Sequence, residues 1–267
     1  MTIRFAAASL CFALLALLAC VGRAAEPEAS PIPAAELAAR LSAKQQDGTS
    51  LIRLRMETAG KGTLQLQIKS RASRAGTDLV YQVLFPKERK GEAVLLRKSD
   101  GRISGSVFTP ADGVRPLTAA QLDEPLFGSD LSYEDVIENF FAWGQQAVVG
   151  TEVVDRVNCT ILESKPGKGE RSSYASVRTW VDTRRMVPLR VEKYGAPGRV
   201  VRRIETARVV TDDKGRAIPA NLTIRGPRGS TTNLDGSRIK HDVTFADAEF
   251  TPEGIKSGAA APPSASE

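Results

Sequence analysis

Residues 50–69 read SLIRLRMETAGKGTLQLQIK, and this stretch decides the fold. Ile52, Leu54 and Met56 alternate with Arg53, Arg55 and Glu57, and Leu64, Leu66 and Ile68 alternate with Gln65, Gln67 and Lys69. A period of two puts successive side chains on opposite faces, so both halves predict strands. Gly60-Lys61-Gly62 between them predicts a tight turn and an antiparallel pair. One face is apolar and the other polar, as in an antiparallel sheet with one side on a core.

The same pattern continues outward. On the N-terminal side, Ala34, Leu37, Ala38 and Leu41 fall at helical spacing, with Pro33 suited to the start and Gly48 to the stop, so 34–46 predicts a short amphipathic helix. On the C-terminal side, turn signals recur at 74–77, 86–91, 100–101, 110–113, 166–169, 196–198, 212–215, 227–229 and 235–237. Between them lie strand-length runs at 79–85, 94–96, 103–108, 157–162, 174–181, 187–194, 200–210, 217–224 and 239–245. About ten strands with almost no long helical pattern argue against a βαβ fold.

One helix is predicted inside the strand series, over 132–144. Ser132 suits its N-cap, Glu134 and Asp135 suit its first turn, and Gly144 its end. Tyr133, Val136, Ile137, Phe140 and Phe141 form one apolar stripe. Glu134 and Glu138 read as a solvated acidic face opposite it, and Arg184-Arg185 and Arg202-Arg203 as solvated basic pairs.

The first segment reads as an address. Met1 to Arg4 is positive and 5–19, FAAASLCFALLALLA, is an apolar run too short for a membrane span, the layout of a secretory signal peptide. Two exits fit: cleavage after Ala24, or a lipobox in which Leu17-Leu18-Ala19 precedes a lipidated Cys20. Residues 25–33 then read as a Pro- and Ala-rich linker, 34–256 as one folded domain, and 257–267 as a disordered tail. Export removes ATP and nucleic acid from the set of partners but leaves anionic lipid head groups. Cys159, the one thiol beyond the signal, reads as a buried strand residue.

Composition excludes much chemistry. The 267 residues are 42% hydrophobic and 25% charged, with 37 Lys and Arg against 31 Asp and Glu. One histidine, His241, and three cysteines are too few for most metal sites, and no phosphate loop, nucleophile elbow or zincin motif occurs. His241 lies in a strand pattern and reads as structural. The expectation is therefore a protein with no metal, no cofactor and no catalytic residue. A curved sheet under helices instead predicts an apolar cavity suited to a lipid chain. Periodicity assigns that cavity Leu54, Met56, Leu66, Ile68, Tyr81 and Val83 from the sheet and Val136, Ile137, Phe140 and Phe141 from the lid.

Residues 126–136, LFGSDLSYEDV, add a family resemblance. Phe127, Gly128, Ser129, Asp130, Tyr133, Glu134 and Asp135 resemble the F-G-S-D-hydrophobic-[ST]-Y-E-D segment of the LolA-like outer-membrane lipoprotein-sorting family. Residues 76–86, 174–182 and 188–194 resemble its later strands, so the likeness covers about 34–250. It implies a mainly β fold: an incomplete, half-open antiparallel β-barrel covered by two or three short helices. It also implies a periplasmic protein that binds lipid or lipoprotein acyl chains and carries them between membranes, with an inner-membrane lipid-exporting transporter as a partner. The alternative is a lipid-sensing or transporter-accessory interaction module on the same fold. The motif itself reads as structural, with Ser132 capping a helix and Asp130 tying down its approach.

Overall fold

The computed structural model describes residues 32–46, 48–227 and 229–258, with Ser237 described in its backbone only. The signal-peptide and Cys20 expectations lie outside the described residues.

Thirteen strands form one antiparallel sheet: β1 Gly48–Thr58, β2 Gly62–Ser73, β3 Gly76–Phe85, β4 Ala93–Ser99, β5 Arg102–Thr109, β6 Gly113–Leu117, β7 Gln145–Val154, β8 Val157–Lys165, β9 Ser176–Asp182, β10 Val187–Gly195, β11 Arg199–Thr211, β12 Ala217–Arg225 and β13 Thr231–His241. Their order is β6-β5-β4-β3-β2-β1-β13-β12-β11-β10-β9-β8-β7. The sheet is thus two meanders joined where β1 pairs with β13. It stays open, because β6 and β7 occupy opposite edges. These two edge strands are consecutive in sequence. The chain between them, residues 118–144, must therefore travel from one edge to the other, and the LFGSDLSYEDV motif lies on that crossing.

Helices α1 (Ala34–Gln45) and α2 (Tyr133–Ile137) cover one face of the sheet, here called inner, and α3 (Pro252–Gly258) the outer. Leu37 and Leu41 of α1 pack with Phe140, Phe141, Trp143, Leu162, Val177 and Val181. Each fully buried leucine contributes roughly 1.5–3 kcal/mol, so α1 is held mainly by this stripe. Tyr133 and Ile137 pack on Leu79, Val94 and Leu96. On the outer face, Phe250 and Ile255 cover Val80, Leu95 and Phe108.

Four local expectations differ from the structure. The helix expected over 132–144 stops at Ile137, where Glu138 turns to an extended backbone (φ −79, ψ 127), and Phe140–Ala142 form a separate 3-10 turn. Strands β6 and β7 give no clean alternation in the sequence: β6 is only five residues long and contains Pro116, and most residues of β7 are exposed on both faces. The turn expected at 235–237 is a bulge inside β13: Arg53 faces Arg238 but Leu54 faces Gly236. That strand consequently runs from Thr231 and ends at His241, not Phe245, with Asp242 in the left-handed region (φ 56).

Candidate functional site

The site is built from cross-strand rungs on the inner face. Register places Leu79, Ser70, Ser50 and His241 in one rung, and Tyr81, Ile68, Ile52 and Ile239 in the next. Val83, Leu66, Leu54 and Gly236 follow, then Leu64, Met56, Leu234 and Leu222, then Thr58, Thr232 and Ile224. The central rungs are aliphatic, and a two-residue step along a strand is about 6.8 Å, so Ser50 to Met56 spans roughly 20 Å. Met56, Leu66 and Val83 are fully covered, whereas Ile52, Leu54, Leu222, Leu234 and Ile239 are only half-buried. Burial pushes the Tyr81 phenol pKa far above its ordinary value.

At the Ser50 end the rungs open into a cavity of about 280 Å³ between α1 and the sheet. Leu41, Phe141, Met186, Pro188, Ile218 and Ile239 supply apolar walls, with Ser50, Ser70 and His241 beside them. Lys44 and Arg216 also reach the cavity. The Lys44 ammonium donates to the carbonyls of Met186 and Ala217, 3.0 Å each, and of Arg185 at 3.5 Å. No carboxylate pairs with it among the described residues. Burial and the nearby Arg216 lower its pKa, with Asp212 opposing them. Arg216 itself binds Asp212 through Nε at 2.9 Å and Nη2 at 2.8 Å.

Asp212, Asp213 and His241 are close enough to suggest a metal site. His241 Nε2 lies 3.1 Å from Asp212 and 3.6 Å from Asp213. The Arg216 guanidinium occupies the same Asp212 oxygen that His241 faces. A metal ion there would sit against a fixed positive charge, so these residues fit an ion-pair cluster.

The lid is held by four buried acids, each bonded to a different part of the fold. Asp130 Oδ2 accepts from the Thr232 hydroxyl at 2.8 Å, and Ser230 donates to its other oxygen. Glu134 accepts from the Ser173 amide at 3.2 Å and from the hydroxyls of Ser172 and Ser173. Asp135, with a side chain 0% exposed, takes Lys193 at 2.7 Å and Arg202 at 2.5 Å. Glu138 takes Lys98 at 2.5 Å and the Trp143 indole N–H at 2.8 Å. Ser132 and Asp135 also form a capping box, with Ser132 N–H to Asp135 Oδ2 at 2.6 Å. Burial alone would raise the Asp135 pKa; Lys193 and Arg202 outweigh it and hold the pKa below the ordinary value. The Tyr174 phenol donates to Asp135 at 2.7 Å, and burial together with that carboxylate pushes its own pKa up.

These pairings correct two expectations. Glu134 and Glu138 are not solvated, being 4% and 9% exposed. Arg202 is not solvated either, with a side chain 11% exposed, although its neighbour Arg203 is 40% exposed. In each case the partner lies far away in sequence.

The structure puts the assigned cavity residues on one face but not around one void. Leu54, Met56, Leu66, Ile68, Tyr81 and Val83 all occupy the inner rungs. Val136 and Ile137 join the group around Tyr133, and Phe140 and Phe141 the group under α1. Of the ten, Phe141 alone lines the 280 Å³ cavity. Within the motif, Phe127 adopts a left-handed backbone (φ 51) and packs over the rungs near Met56, and the Gly128 carbonyl accepts from Lys61 at 2.7 Å. Ser129 Oγ accepts from the Leu131 amide at 3.2 Å. Ile52, Ile218, Leu222, Leu234, Ile239 and Lys44 are not among the residues that periodicity assigns to the cavity. The aliphatic ones carry the same alternation as their neighbours, whereas Lys44 gave no signal.

A model of a family described as uncharacterized protein matches residues 76–257. The chain belongs to that family. Its fold is LolA-like: a solved LolA superfamily protein from Nitrosomonas europaea is 18% identical, with TM-score 0.64 over 83% of this chain and 98% of that one. An outer membrane lipoprotein-sorting protein domain from Vibrio parahaemolyticus is 20% identical, with TM-score 0.75 over 84% and 98%. A DUF1329 family protein from Desulfovibrio piger is 24% identical, with TM-score 0.76 over 83% and 97%. A search of curated proteins finds no match. In LolA-like terms the open edge-to-edge sheet is the incomplete barrel, and residues 118–144 cross its inner face.

Proposed function

We propose that this protein binds a lipid or lipoprotein acyl chain along the inner face of its sheet and carries it through the periplasm between membranes. One observation carries the reading. Ile52, Leu54, Leu222, Leu234 and Ile239 form an aliphatic strip that the protein's own core leaves half-covered, beneath a lid pinned at its acids. Apolar surface in that state gains by taking up an apolar ligand, at about 0.8 kcal/mol per CH₂. A chain of about fourteen carbons then gains on the order of 10 kcal/mol gross, before ordering costs. The lipoprotein-sorting description of the Vibrio domain supports the same reading.

The protein acts in this reading as a binder and not as an enzyme. The buried acids of the lid are each bonded to a cation or to hydroxyl and amide donors, which ties the lid to the rest of the fold. The N-terminal segment directs export, and an inner-membrane lipid-exporting transporter hands over or receives the cargo. The test is native mass spectrometry of the protein exported with its own N-terminal segment. The reading expects a lipid-mass adduct that leaves on collisional activation; an unliganded mass that also fails to take up added lipid contradicts it.

A second reading, an interaction module docking a membrane partner, is favoured by edge strand β7, where Val148, Val149 and Val153 are 38%, 46% and 66% exposed. It expects a crosslink from Val153 to a membrane protein while the inner face stays empty.

A further inference from the structure

The two ends of the aliphatic strip differ in charge, and the difference assigns a direction to the ligand. At one end the strip stops at Thr58 and Thr232, whose hydroxyls lie 3.1 Å apart, with the buried Asp130 carboxylate behind Thr232. An anion placed there would meet the buried Asp130 carboxylate, whereas Lys61 at this end stands in solvent, bonded to the Gly128 carbonyl at 2.7 Å. At the other end the strip runs through Ile239 into the 280 Å³ cavity, and Lys44 sits in its wall. The other charges around that mouth are mutually compensated. Arg216 is bonded to Asp212, Lys214 to Asp242 at 3.0 Å, and Arg185 to Asp182 at 2.5 Å. Asp213 accepts from the His241 backbone amide at 3.1 Å, and its other oxygen lies 3.6 Å from His241 Nε2. Among the described residues Lys44 is met by three carbonyl oxygens and no carboxylate. Peptide carbonyls solvate an ammonium but do not neutralise it, so a partly desolvated positive charge faces an apolar cavity.

Resting on the acyl-binding reading above, we propose that this cavity is the head-group end of the site and that the ligand is an amphiphile with an anionic head, a carboxylate or a phosphate ester. The acid oxygen is held by Lys44, with the Ser50 and Ser70 hydroxyls as further donors, and the chain extends over Ile239, Ile52 and Leu54 toward Thr58. The anion supplies the negative charge that Lys44 lacks, and the hydrogen bond it makes is charge-assisted.

The experiment measures displacement of a fluorescent acyl probe from the purified exported protein by hexadecanoate, hexadecyl phosphate and hexadecanol, each below its self-association concentration. The proposal expects at least one of the two anions to bind about tenfold or more tighter than the neutral alcohol. Lys44→Met should bring that anion to the alcohol's level without changing the alcohol, and Lys44→Arg should keep the preference. Should Lys44→Met not fold, wild type alone decides: added salt must weaken the anion and leave the alcohol unaffected. A preference for hexadecanoate alone points to a free fatty acid, and one for hexadecyl phosphate to a phospholipid-type head. Equal affinity of anions and alcohol, or a preference that survives Lys44→Met, overturns the proposal while the acyl-binding reading stands. Failure of all three to bind overturns both.

Discussion

Asp135→Asn tests the lid most sharply. The substitution keeps the shape and the oxygen that accepts from Ser132 N–H at 2.6 Å, so the helix cap survives. It removes the charge shared by Lys193, 2% exposed, and Arg202, 11% exposed. Among the described residues Lys193 then keeps the Phe140 and Tyr174 rings, at 5.4 and 5.0 Å, as electrostatic partners. Breaking a buried ion pair by removing one partner costs about 3–5 kcal/mol, because the other charge stays behind. At about 2–4 °C per kcal/mol for a domain of this size, the melting temperature should fall by about 6–20 °C. Urea unfolding followed by tryptophan fluorescence measures the loss, and Trp143 sits beside the lid. Adding Lys193→Met should restore part of it, because the stranded ammonium is then gone. A loss below about 1 kcal/mol, or a double variant less stable than Asp135→Asn alone, would refute the argument that this triad holds the lid.

Other consequences follow from the same geometry. Leu54→Glu should weaken acyl-probe binding tenfold or more, while the outer-face control Arg55→Gln leaves it unchanged in the same displacement assay. Gly226→Ala would drive a Cβ into Asp130 Oδ1 and should cost about 1–3 kcal/mol in urea unfolding; in an Asp130→Ala background the same substitution should cost less. The pKa values of Asp135, Asp182, Asp212 and Glu163 are all held below their ordinary values. The stability they contribute is therefore complete above the unfolded carboxylate range near pH 4 and is lost as pH falls through the lower folded values. Unfolding free energy should be flat in these groups from about pH 5.5 to 8 and fall steeply below pH 4. Val153→Lys, on an edge residue 66% exposed, should reduce concentration-dependent association in light scattering with a stability change within about 0.5 kcal/mol.

The sheet was legible because half of each central strand is buried and half is not. The alternation at Ile52, Leu54 and Met56 is a direct record of the inner face. It failed at β7, where Ala147, Val148 and Val149 are all exposed at a sheet edge and no core imposes a period. The stripe Tyr133, Val136, Ile137, Phe140 and Phe141 has the spacing of one helix, and its first half is one. The chain breaks after Ile137 because Glu138 turns inward to Lys98 on β4 and the Trp143 indole. Glu134 and Glu138 looked solvated for the same reason: their partners Ser172, Ser173 and Lys98 lie about forty positions away in the chain. Local charge patterning cannot register a long-range ion pair. Ser132 is readable as structural, since capping is local and one hydroxyl suffices, whereas the partners of Asp130, Ser230 and Thr232, lie about a hundred positions on. Lys44 was invisible, because its role rests on carbonyls from the turn after β9 and from β12.

The crossing segment links these observations. Because β6 and β7 are sequence neighbours at opposite edges, residues 118–144 must cross the sheet; they do so over the inner face, and their four acids bind both meanders. The lid is thus both cover and brace for the half-open barrel. The central claim is that an acyl chain lies under it. Photolysis of a diazirine-bearing fatty acid in complex with the protein, followed by peptide mapping of the adducts, tests that claim directly. The account predicts labels on Ile52, Leu54, Ile218 and Ile239; labels confined to the outer face, or at edge strand β7 alone, would contradict it.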